Sequence, residues 1–172
     1  RSRRETSPGY GAGVVKVRSL AGMLAVVLLL SACASVVNVP VAPEGHHPDC
    51  ARIVLALPDQ LDGMPRHTTS SQATRAWGEP LEAVTLRCGV PVPPPTEETC
   101  TTADDLAGHS VDWVSVEDER GWTFTTYGRH PAVEVFVPAA VAAERSTSFL
   151  LDLGPAVSLV EATRACIGLS DF

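Results

Sequence analysis

Eleven consecutive apolar residues, 20–30, divide this chain before any question of fold arises. The run is too short for a permanent span, because crossing roughly 30 Å of hydrocarbon takes about 20 apolar residues in a helix. Lys16 and Arg18 precede it, and the small residues Ser31 and Ala32 close it in front of Cys33. A basic flank, a short apolar core and a small-residue exit form the layout of a secretory signal peptide, which is cut away and takes no part in the mature fold. Residues 1–32 therefore read as upstream sequence plus signal peptide. The domain must be built from residues beyond that cut, in an oxidising compartment.

Leu30-Ser31-Ala32-Cys33 resembles the lipobox of bacterial lipoproteins. The resemblance implies diacylglyceryl transfer to the thiol of Cys33, cleavage on its amino side, and an extracytoplasmic, membrane-anchored product. The residue types suit that chemistry: a thiolate is the strongest nucleophile available to accept lipid, and small side chains admit the backbone to a protease cleft. Two acyl chains, at about 0.8 kcal/mol per buried methylene, anchor stably where one holds only marginally. After cleavage 8 basic and 19 acidic residues remain, a formal charge of −11. Such a surface repels phosphate backbones and anionic head groups, which excludes nucleic acid as a partner and leaves lipid to hold the protein at the membrane. Residues 33–47, interrupted by Pro40 and Pro43, read as a flexible tether leading to a domain over residues 48–172. His46 and His47 are adjacent within that tether, without the spacing of a zinc site, so neither a metal nor another cofactor is expected.

With Cys33 set aside, Cys50, Cys88, Cys100 and Cys166 form an even set. In an exported protein this predicts two disulfides. The Pro-rich stretch between Cys88 and Cys100 is read as returning on itself, which favours Cys88–Cys100 and leaves Cys50–Cys166 to join the first element to the last. There is no CxxC to suggest redox chemistry.

Residues 49–57 place Cys50, Ile53, Val54 and Leu57 at helical spacing between Pro48 and Pro58, predicting a short helix. Residues 71–77 are read as a helical turn ended by Gly78 and Pro80. The period then changes to two. Val84, Leu86 and Cys88 alternate with Thr85 and Arg87, and Val111, Trp113 and Ser115 alternate with Asp112, Val114 and Val116. Residues 117–121 predict a hairpin turn in which Gly121 supplies positive φ, followed by strands over 122–127 and 132–137. Residues 146–167 return to a helical pattern, split at Gly154-Pro155. The expected fold is α+β: a small antiparallel sheet of three to four strands packed by N- and C-terminal helices and held by two disulfides.

Cys50-Ala51-Arg52, Leu57-Pro58, Ala76-Trp77-Gly78, Leu86-Arg87-Cys88-Gly89-Val90 and Thr125-Thr126-Tyr127-Gly128-Arg129, leading to Pro131-Ala132-Val133-Glu134-Val135, follow one another in this order and spacing across residues 48–166. In them the chain resembles a family of actinobacterial exported proteins, the domain of unknown function 3515. The resemblance supports export and carries no known activity.

Candidate ligand-binding residues are Arg87, Arg129 and His130, with Trp77, Trp113 and Tyr127 as aromatic walls. Two arginines in one place would form a pocket for a carboxylate or phosphate. The competing assignment pairs the arginines with carboxylates such as Glu134 and buries the tryptophans in the core. For catalysis, Ser70-Ser71 near His67 and His109-Ser110 near Asp112 supply residue types but no nucleophile elbow. The acidic runs lack the calcium-loop pattern, and no Gly-rich phosphate loop is present. The leading expectation is a non-enzymatic, lipid-anchored envelope module that binds an envelope protein or a small anionic ligand. A cell-wall hydrolase using His109 or His130, and a purely structural envelope protein, are the alternatives.

Overall fold

Eight strands, where three or four are expected, carry the structure. The computed structural model describes residues 36–96 and 98–166, so the expected signal peptide, Cys33 and Glu97 lie outside the described residues. Helix α1 (Pro48–Ala56) leads into β1 (Gln60–Leu61), β2 (Met64–His67), β3 (Thr74–Trp77) and β4 (Val84–Val90). There follow β5 (Thr99–Asp104), β6 (Ser110–Asp118), β7 (Gly121–Thr126) and β8 (Ala132–Pro138). Helix α2 (Ala139–Glu144), a 3-10 segment (Thr147–Leu153) and the single turn α3 (Gly154–Val157) complete the order. One antiparallel sheet results, in the order β1-β2-β3-β4-β8-β7-β6-β5.

The strands read from alternation are present as β4, β6, β7 and β8. The β6–β7 hairpin pairs Asp118 with Gly121, and Gly121 has φ +143° with no room for a Cβ against the Val137 carbonyl. The small-sheet expectation fails because the other four strands carry little apolar alternation. Strand β5 (TCTTAD) is a largely exposed edge strand, and β1 and β2 form a short edge hairpin containing Pro65. Residues 71–77 are not a helical turn. Ala73 adopts φ +56°, which breaks the helical path, and Thr74–Trp77 run as β3 beside β4. The expected C-terminal helix reduces to the 3-10 segment and α3, because the chain past Val160 bonds instead to the β7–β8 connection, with Thr163 N–H donating to the Gly128 carbonyl at 2.7 Å.

One face of the sheet builds the main core. Trp77, Val84, Leu86, Val111, Trp113, Val133, Val135 and Val137 meet Ile53 and Val54 of α1, Leu153 of the 3-10 segment, and Ala156 and Val157 of α3. Burial of this set is the principal stabilising term, at about 25 cal/mol per Å² of apolar surface removed from water.

The cysteines pair as Cys50–Cys88 and Cys100–Cys166, with Cα separations of 5.5 and 5.7 Å, in place of the expected pairing. Cys88 points to the core face, where α1 presents Cys50. Cys100 sits opposite Val114, four strand positions from β4. At about 4.8 Å per strand step that is near 19 Å, far beyond disulfide reach. The Pro-rich residues 91–96 thus belong to a connection that crosses the sheet rather than returning on itself, a task suited to stiff, extended proline-rich chain.

Residues 36–47 do not behave as a free tether. Val37 and Val39 pack with Ala76 and Ala83, and Ala42 packs with Val90 and Ala132. Val37 N–H donates to Thr68 O at 2.9 Å and Glu44 N–H to Gly89 O at 2.9 Å. Gly89, at φ +92°, has the Glu44 backbone where a Cβ would stand.

Candidate functional site

The expected cluster of Arg87, Arg129, His130, Trp77 and Tyr127 is dispersed. Alternation places Arg87 on the face away from the core, as expected, but directly across from Glu134 of β8. Its Nε donates to Glu134 Oε1 at 2.6 Å, so the carboxylate partner weighed from sequence is the one observed. Arg129 is 7 % exposed and serves the backbone. Its Nη2 donates to the Ser110 carbonyl at 2.7 Å and its Nη1 to the Val160 carbonyl, which ties the C-terminal segment to the start of β6. Burial lowers its pKa, partly offset by the charge of Asp112. Trp77 is fully buried and its indole N–H donates to the Pro58 carbonyl at 3.1 Å. Tyr127 lies under the Arg164 guanidinium. His130 is exposed and meets Glu44 at 3.1 Å, with the His47 ring edge-on at 5.5 Å.

Of the catalytic candidates, His67 is committed to the Gly78 carbonyl at 2.5 Å. His109 Nδ1 meets Asp105 Oδ2 at 2.7 Å, the geometry by which a carboxylate orients an imidazole. Among the described residues no hydroxyl or thiol hydrogen-bonds His109. Asp105 also accepts the backbone N–H groups of Ala107 and His109. These bonds, that of the His109 backbone foremost, hold its carboxyl below the usual range, and they close the β5–β6 turn.

The more complete concavity lies elsewhere, between the β5–β7 end of the core face and the 3-10 segment. Residues 122–124 alternate, so Trp122 and Phe124 emerge on one face and stack with ring centroids 6.0 Å apart. With Trp113 and Leu150 they line a groove of about 740 Å³, within the range of about 300–1,000 Å³ typical of small-molecule sites. Thr99, Thr101, Ser115 and Ser148 are among the hydroxyl-bearing residues of the lining, and Asp104 is its one charged residue among those described. The Trp113 indole nitrogen is buried without an acceptor among the described residues, an unmet donor that costs about 1–3 kcal/mol. The alternation of Trp122 and Phe124 was readable in the sequence. Their wall opposite the 3-10 segment was not, because that segment reads as helix.

A family model described as Protein of unknown function (DUF3515) matches residues 13–165. No curated protein matches the chain, and no solved structure does. The family match spans both the residues expected as signal peptide and nearly all of the eight-stranded domain, and the chain belongs to the DUF3515 family of proteins of unknown function.

Proposed function

We propose that the chain is the precursor of an extracytoplasmic lipoprotein, anchored by lipid on Cys33, whose folded domain is a binding module with its ligand site in the Trp122–Phe124 groove. The groove carries the binding reading: stacked aromatics give a large apolar contact area, hydroxyls around them give directional bonds, and Trp113 holds an unmet donor beneath. With Asp104 as its charged residue the lining disfavours anions. The favoured ligand is therefore uncharged, with an apolar face and hydroxyl groups, rather than the small anion expected from the arginines. The address is supported by the sequence at residues 30–33 and by the cysteines. Cys50, Cys88, Cys100 and Cys166 are all taken up in disulfides, which persist outside reducing compartments.

Titration with sugars and alkyl glycosides, followed by tryptophan emission, tests the site. The reading expects saturable binding that weakens about tenfold in Trp122→Ala, the loss of one aromatic contact. Binding unchanged in a Trp122→Ala/Phe124→Ala variant would contradict the groove as the site. A hydrolase reading rests on the Asp105–His109 pair. Turnover of peptidoglycan or ester substrates that disappears in His109→Ala would favour it over the binding module.

A further inference from the structure

Most arginines of this acidic domain are committed, and Arg164, which holds no carboxylate, lies over the Tyr127 ring. Arg52, Arg66, Arg87, Arg120 and Arg145 each hold a carboxylate, and Arg129 is committed to backbone carbonyls. Among the described residues no carboxylate lies within ion-pair distance of Arg75, and its Nε is buried without a partner. Arg66 faces Trp77 across the β2–β3 pair, and Arg75 stands two residues from Trp77 on β3, so the two arginines share a face as diagonal neighbours. They line a cavity of about 400 Å³ with His67, Thr68, Thr69 and Ser71. Burial, and then the charge of Arg66, lower the pKa of Arg75, whose Nη1 donates to the Thr74 carbonyl at 3.0 Å. The Asp59 held by Arg66 is 83 % exposed and readily displaced into water.

The position of this cavity bears on which anion could reach it. Val37 pairs with Thr69 in a parallel bridge on the cavity's own rim. Only Ala34, Ser35 and Val36 separate Val37 from Cys33, and four residue steps span at most about 14 Å. We propose that the Arg66–Arg75 cavity takes the phosphate of a phospholipid head group in the leaflet that holds Cys33, seating the domain against the membrane instead of on a stalk. This rests on the lipid-anchor reading. Two guanidinium groups with Thr and Ser hydroxyls match a phosphate's oxygens in number and charge. A phosphate bound in that cavity also lets a domain of net charge −11 approach the bilayer locally, where its overall field would keep it away.

Native mass spectrometry of the full chain, extracted from membranes in neutral detergent and mixed with dihexanoyl phosphatidylglycerol, tests this. The covalent mass at Cys33 is read in the same spectrum, so failure of the anchor and failure of the cavity are separate results. The expected outcome is one phospholipid adduct, weakened about tenfold or more in Arg75→Gln and in the exposed-site variant Arg66→Ala. Arg52→Ala should leave it unchanged, and dihexanoylglycerol, which lacks the phosphate, should not bind. Equal adducts in wild type and both variants, or equal binding of dihexanoylglycerol, would overturn the proposal. Inorganic phosphate binding as tightly as the phospholipid would overturn the membrane as the source.

Discussion

Replacing each cystine by an alanine pair should produce losses that run against loop length. In the chain-entropy account the 38-residue separation of Cys50–Cys88 contributes about 3.9 kcal/mol and the 66-residue separation of Cys100–Cys166 about 4.4 kcal/mol. Entropy alone therefore makes the second bridge the costlier to lose, by about 0.5 kcal/mol. Packing reverses the order. Cys50 and Cys88 are both 0 % exposed within the main core, whereas Cys100 and Cys166 are only partly buried. Truncating two enclosed sulfurs adds roughly 1–2 kcal/mol of lost contact and cavity. Cys50→Ala/Cys88→Ala is thus expected to lose about 5–6 kcal/mol and Cys100→Ala/Cys166→Ala about 4–4.5 kcal/mol. Each is a large part of the 5–15 kcal/mol typical of a domain. Urea unfolding followed by tryptophan emission, extrapolated to water, measures both. A non-reducing peptide map in parallel should recover Cys50 with Cys88 and Cys100 with Cys166. A larger loss for the Cys100–Cys166 variant would show that packing does not reverse the order, and a peptide joining Cys88 to Cys100 would contradict the pairing.

Gly89→Ala should cost more than about 1 kcal/mol, because it combines strained positive φ with overlap on the Glu44 backbone. Amide exchange should show Val37 and Glu44 protected in the wild type and exposed to exchange in the variant, whereas unprotected amides in both would restore the free-tether reading. Arg129→Met should lose about 2–4 kcal/mol in denaturant unfolding, because the Ser110 and Val160 carbonyls lose a charged donor. Asp105, whose carboxyl sits below the usual range, contributes stability that is complete above the unfolded pKa of about 3.9 and is lost as pH falls through the lower native value. Asp105→Asn should therefore be less stable than wild type at pH 6, with the gap closing toward pH 2–3. A constant gap across that range would contradict the assignment.

Local pattern made half of the sheet legible. Val84, Leu86 and Cys88 face the core as their alternation implies, α1 buries the Cys50, Ile53 and Val54 stripe, and Gly121 closes the hairpin. What local pattern does not carry is the order of strands. Strand β4 lies beside β8 while β5 lies at the far edge, and that order keeps Cys88 and Cys100 apart. It likewise sets Arg87 against Glu134 and brings Arg66 to the face of β3 that bears Arg75. Strand β5, rich in threonine and exposed on much of its surface, has no apolar period to announce it. Residues 36–47 contain two prolines and read as linker. They are ordered by Val37 and Val39 docking onto alanines of β3 and the β3–β4 loop, small partners that leave no distinctive mark in sequence.

The proposed extracytoplasmic address and the proposed seating on the membrane both rest on the lipid anchor proposed at Cys33. Intact mass of the protein extracted from membranes tests it directly. The expected product begins at Cys33 and carries diacylglyceryl on its thiol, with the four remaining cysteines oxidised. An unmodified chain beginning upstream of Cys33 would contradict it.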